Sequence, residues 1–119
     1  MINFEQRDLL HNYLLLDLAI KSLQHDQKYL EQCKMKSVLL PTLNILLKDL
    51  RKKYFQFKHQ LKFHKIKVIA WYPIDEYFID VKVATVGNDL ILHYAKQGLK
   101  AQVEQLIINH MKNISLTGT

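Results

Sequence analysis

Phe63-His-Lys-Ile-Lys-Val-Ile-Ala-Trp-Tyr72 is where this chain changes period. Upstream of it, apolar residues recur every three or four positions; from Lys65 onward they alternate. A spacing near 3.6 builds one face of a helix, and a spacing of 2 builds one face of a strand. Pro73-Ile-Asp-Glu76 is a turn signal, and Tyr77-Phe-Ile-Asp-Val-Lys-Val-Ala84 alternates again, so residues 65–84 read as a β-hairpin. A four-residue loop would pair Tyr72 with Tyr77, Ala70 with Ile79, Val68 with Val81 and Ile66 with Val83 on one face. The other face would then set Trp71 against Phe78 and Lys67 against Lys82.

Before the hairpin, residues 4–32 predict a helix. Leu9, Tyr13, Leu16, Ile20, Leu23 and Leu30 form one stripe, and Leu10, Leu14 and Leu18 fall on a neighbouring face. A helix apolar over more than half its circumference is covered on two sides, by its own domain or by a partner subunit. Lys34 to Ser37 is a polar break, with Ser37 a plausible N-cap and Pro41 tolerated in a first turn. Residues 38–63 predict a second helix with the stripe Leu39, Leu43, Leu46, Leu50, Tyr54, Phe57 and Leu61. The two helices read as a long antiparallel hairpin.

After the β-hairpin, residues 88–112 read as a helix broken at Gly98, with Leu92, Leu99, Val103, Leu106 and Ile107 at near-helical spacing. Leu90 to Tyr94 as a third strand is the alternative. Residues 113–119 read as a fraying tail. The expected fold is therefore α+β in the order α-α-β-β-α, in one domain spanning residues 1–119.

With 119 residues, 3 Gly and 2 Pro, the chain is neither linker-like nor a many-turned sandwich. The single Cys33 excludes a disulfide framework and suits a reducing compartment. The N-terminus lacks the basic-then-apolar pattern of a signal peptide, and no apolar run approaches the roughly 18 residues of a membrane span. The expectation is a cytoplasmic protein.

Of the net charge of +6, the segment from Lys48 to Lys67 carries more than all: eight basic residues against one acid, Asp49. Arg51, Lys58, Lys62 and Lys65 fall within about 60° on a helical wheel, away from the core stripe. They form a basic ridge, continued into the hairpin by Lys67 and Lys82.

Leu40-Pro41 opening a long charged helix, the junction Phe63-His-Lys-Ile-Lys-Val-Ile69, a second strand ending at Gly87, and a last helix ending Val103-Glu-Gln-Leu-Ile107 together resemble the YhjD-like group. These are uncharacterised small proteins of spore-forming Gram-positive bacteria. The resemblance covers about residues 38–112, and Gly87-Asn88-Asp89-Leu90 fits the group's acidic-aromatic run only in part. It implies a fold rather than an activity.

No enzyme motif is present: there is no phosphate loop, no dinucleotide fingerprint and no nucleophile elbow. His59 and His64 lie about 140° apart on a helix and share no ion locally, so no metal and no cofactor is expected. Asp75 and Glu76, with Asp80 nearby, read as solvent-facing turn acids rather than a catalytic pair. Cys33 reads as an idle thiol near a helix end.

A two-stranded sheet leaves two edges open, so a homodimer is expected, formed by strand pairing across a two-fold axis or by burial of the free face of the first helix between subunits. The leading expectation is a non-enzymatic, self-associating module that binds another protein. The alternative is a DNA- or RNA-binding accessory protein using Arg51, Lys58, Lys62, Lys65, Lys67 and Lys82. Trp71 and Phe78, or Phe55 and Phe63, would then stack on bases.

Overall fold

The first helix starts where Asn3 can hold it. The Asn3 side chain accepts a hydrogen bond from the Gln6 backbone N–H (2.8 Å), and the Gln6 side-chain oxygen accepts one from the Asn3 N–H (3.1 Å). This reciprocal cap satisfies two donors that a helix start otherwise leaves unpaired. The structure is a computed structural model that describes residues 2–117, with side chains through residue 113. The elements run α1 (Phe4–Leu30), α2 (Lys36–Phe63), β1 (Lys67–Pro73), β2 (Phe78–Ala84), β3 (Asp89–Ala95) and α3 (Lys96–Thr117). The fold is α+β, and its helical hairpin is the one the sequence predicts.

Three details of α2 differ from expectation. It begins at Lys36, capped by Met35 without a side-chain bond, so Ser37 lies inside the helix and is not its cap. Pro41 consequently sits in the second turn rather than the first. Leu39 is 43% exposed, near the tip of the hairpin where α1 has already ended.

The order is α-α-β-β-β-α: Leu90 to Tyr94 belongs to a third strand and not to the last helix. Leu90, Leu92 and Tyr94 alternate and complete the apolar face begun by β2. The spacing from Leu92 to Leu99, two helical turns long, conceals the boundary between strand and helix. Gly87 takes a positive φ of 86° in the connecting turn, a backbone that favours glycine. Gly98 lies in the first turn of α3, so the expected mid-helix break falls instead at Ala95–Lys96. Helix α3 continues to Thr117, past the expected end at 112; residues 118–119 lie outside the described residues.

The sheet is an antiparallel meander, β1-β2-β3. The β1–β2 register differs from the expected one: Val68 faces Val83, Trp71 faces Val81 and Tyr72 faces Asp80, with a shift between Val68 and Ala70. That bulge inserts one residue at Ile69 and turns Trp71, rather than Ala70, onto the inner face. The physical reason is area, since an indole covers far more apolar surface than a methyl group. Lys67 now lies opposite Ala84 and Lys82 opposite Ala70, so the expected lysine-on-lysine pair does not form. The loop moves to residues 74–77, held by the Asp75 carboxylate, which accepts bonds from the backbone N–H of Tyr77 (2.7 Å) and Phe78 (2.9 Å).

Helix α1 is the centre of the molecule. Leu10 and Leu14 pack on Val81, Val83 and Leu92 of the sheet together with Leu61 and Ile66. One turn on, Leu15, Leu16, Ala19 and Ile20 meet Leu43, Leu46, Leu47 and Leu50 of α2 and Leu99 and Val103 of α3. Both apolar faces of α1 are thus covered within its own domain. Polar ties fix the layers: Asp49 of α2 meets His110 of α3 at 2.7 Å. His11 of α1 lies 3.1 Å from the Tyr94 hydroxyl and 2.6 Å from the Gln102 amide oxygen. Among the described residues nothing covers the other face of the sheet, where Phe78 and Ile91 are exposed, and the molecule measures 51 × 33 × 18 Å.

Candidate anion-binding hollow

The last turn of α2 closes in a Schellman motif. The Lys65 N–H donates to the Lys62 carbonyl (3.0 Å) and the Ile66 N–H to the Leu61 carbonyl (2.9 Å). Ile66 and Leu61, both buried, make the apolar contact that accompanies this cap. The motif needs a left-handed residue, and Lys65 fills that place at φ 57° where glycine is usual. The sharp reversal swings Lys65 and Lys67 back beside Lys58 and Lys62.

The result is a hollow of about 540 Å³ lined by four lysines, Lys58, Lys62, Lys65 and Lys67, over a floor of Leu61, Ile66, Val68 and Tyr13. All four lysines are exposed. None is within ion-pair distance of a carboxylate among the described residues. Like charges gathered this way repel by about 0.5 kcal/mol for each pair at 8 Å in a water-like dielectric. An anion placed among them removes that cost.

Tyr13 forms the inner wall. Its hydroxyl donates to the Tyr54 hydroxyl at 2.9 Å, and the two rings stack with centroids 4.9 Å apart. Burial, reinforced by this bond, pushes the Tyr13 phenol well above its ordinary range. The wall is therefore an uncharged aromatic surface at neutral pH.

Four of the six residues expected to form the basic surface are brought together, and two are not. Arg51 lines a separate depression beside Lys21, His25, Lys28 and Glu31 of α1. Lys82 stands on the outer face of the sheet, 3.7 Å from Asp89, which partly meets its charge. The aromatic pair is also divided. Trp71 packs against both core clusters, whereas Phe78 is 51% exposed on the opposite sheet face. The β1 bulge separates them. Phe63, at the end of α2, is 81% exposed and edge-on to His64. Sequence reading missed the floor of the hollow: Tyr13 and Val68 belong to different elements, and only Leu61 and Ile66, flanking the period change, mark the place locally.

Among the described residues, no three His, Cys, Asp or Glu side chains gather as metal ligands. No helix among the described residues is long and apolar enough to cross a membrane. Comparison with curated proteins finds no match, and comparison with solved structures finds none. The model of one family, described as YhjD protein, matches residues 1–115, adding α1 to the stretch over which the sequence resembles that group. The chain is a member of the YhjD protein family.

Proposed function

We propose that this protein is a non-enzymatic, self-associating cytoplasmic interaction module that takes an acidic segment of another protein in the lysine-lined hollow. One observation carries the reading: four ammonium groups with no carboxylate partner among the described residues surround an apolar floor. A segment with carboxylates flanking one leucine or phenylalanine satisfies both halves of that surface, with the charges met at the rim and the side chain on Leu61, Ile66 and Val68. Nucleic acid fits less well. The rim is lysine rather than the arginine favoured for bidentate phosphate contacts, and Trp71 is half-buried on the inner sheet face and does not line the hollow.

The test is fluorescence anisotropy with three labelled probes: an acidic peptide carrying one phenylalanine, a polyglutamate of equal charge, and a single-stranded oligonucleotide. Each is titrated at about 50 mM and about 300 mM salt. The phenylalanine peptide is expected to bind best and to weaken with salt. The Lys58→Glu/Lys62→Glu variant is expected to lose about tenfold or more. Preferential binding of the oligonucleotide, with affinity falling steeply in salt, would replace this reading with the nucleic-acid one. No binding of any probe at low salt overturns it.

A further inference from the structure

The two edges of the sheet are unlike. Ile74 donates to the Phe78 carbonyl at 3.1 Å, a direct partner continuing the β1–β2 register. Because hydrogen-bonded and non-bonded pairs alternate, Trp71 and Pro73 turn their backbone outward. Pro73 has no N–H to offer, and the shift at Ile69 interrupts the edge further along. Bulge and proline are two of the devices that keep an edge strand from pairing.

Strand β3 has neither. Its register with β2 is unbroken over all seven residues, and among the described residues β2 is its one neighbour. Lys96 donates to the Tyr77 carbonyl (2.8 Å) and Thr85 to the Asn88 carbonyl (2.9 Å), at the two ends of this ladder. Their phase makes Ile79–Tyr94, Val81–Leu92 and Val83–Leu90 the hydrogen-bonded pairs. The N–H and C=O groups of Asp89, Ile91, His93 and Ala95 therefore point to the open side. Ile91 is 57% exposed there. Beneath the edge runs a groove of about 280 Å³ whose lining includes Phe4, Arg7, Asp8 and Leu92.

Charge selects the occupant. The chain carries +6, yet the groove beneath this edge sets Arg7 beside Asp8, and Asp89 starts the strand 3.7 Å from Lys82, while the four lysines of the hollow lie at the β1 side. A second copy can approach β3 without meeting the lysines, and adjacent charges of both signs suit a self-complementary contact.

We propose that two copies join through β3, antiparallel, about a two-fold axis at Leu92. Ile91 then lies opposite the partner's His93 and Asp89 opposite the partner's Ala95, so every outward group of the strand meets its counterpart. The product is a continuous sheet in the order β1-β2-β3-β3-β2-β1 with a lysine hollow at each end. This rests on the self-association stated above and locates it.

Sedimentation equilibrium of the full chain tests it. The wild type is expected to be a dimer at tens of micromolar. Ile91→Pro removes an outward N–H without touching the β2 ladder and is expected to weaken the dimer at least about tenfold. Ile91→Lys/His93→Lys keeps the backbone and sets like charges across the axis; it is expected to do the same with unchanged circular dichroism, which covers any misfolding of the proline variant. A wild-type dimer unaffected by the lysine pair overturns the β3 interface while leaving self-association standing. A wild-type monomer overturns both. Lys58→Glu/Lys62→Glu is expected to remain dimeric, which separates this interface from the hollow.

Discussion

The Tyr13 and Tyr54 hydroxyls meet at 2.9 Å with their rings stacked, joining α1 to α2 at the wall of the lysine hollow. Tyr13→Phe removes the donor and is expected to cost about 1 kcal/mol at neutral pH, measured by urea denaturation.

The same pair makes stability depend on alkaline pH. Burial, then the bond to Tyr54, raises the folded-state pKa of Tyr13 above its ordinary value of 10.0. Its contribution is complete below that value and is lost as pH rises past it, because the unfolded chain releases the proton first. Wild type should therefore lose more stability than Tyr13→Phe on going from pH 8 to about pH 11. Parallel pH profiles for the two would show that Tyr13 ionises as freely in the fold as outside it.

Lys65 sets stability against binding. In the left-handed region at φ 57° it carries strain that glycine does not. Lys65→Gly is expected to stabilise the protein by about 1 kcal/mol, while weakening the acidic phenylalanine peptide about threefold. Lys65→Ala should lose the affinity without the stability gain. Equal stability of the glycine and alanine variants would argue against a left-handed residue here.

Asn3→Ala removes the side-chain half of the α1 cap and is expected to cost about 1 kcal/mol, with Asn3→Asp close to wild type. The measurement is again the urea midpoint.

Leu14 and Leu39 belong to the apolar helix faces expected from sequence, but only Leu14 is buried, at 1% exposure. Leu14→Ala should cost about 3 kcal/mol, because it opens a cavity between α1 and the sheet. Leu39→Ala should cost about 0.5 kcal/mol or less. Comparable losses would mean that the tip of the helical hairpin is covered in solution.

The helical hairpin, the strand pair and the basic stretch were legible because each is a repeat in neighbouring residues. Leu43, Leu46 and Leu50 face inward at the spacing a helix imposes. The third strand was harder to read, since Leu92 and Leu99 satisfy two periods at once and only the presence of β2 beside Leu92 decides between them.

Sequence alone thus determined the two long helices, the strand pair of residues 65–84, and that the positive charge is concentrated between Lys48 and Lys67. Tertiary structure decided the rest. It placed the Ile69 bulge that turns Trp71 inward, parted Arg51 and Lys82 from the other four cations, and set Tyr13 beneath those four. Periodicity is a property of consecutive residues, whereas register and the shape of a hollow depend on the fit of side chains from α1, α2 and β1, which meet only when the core closes.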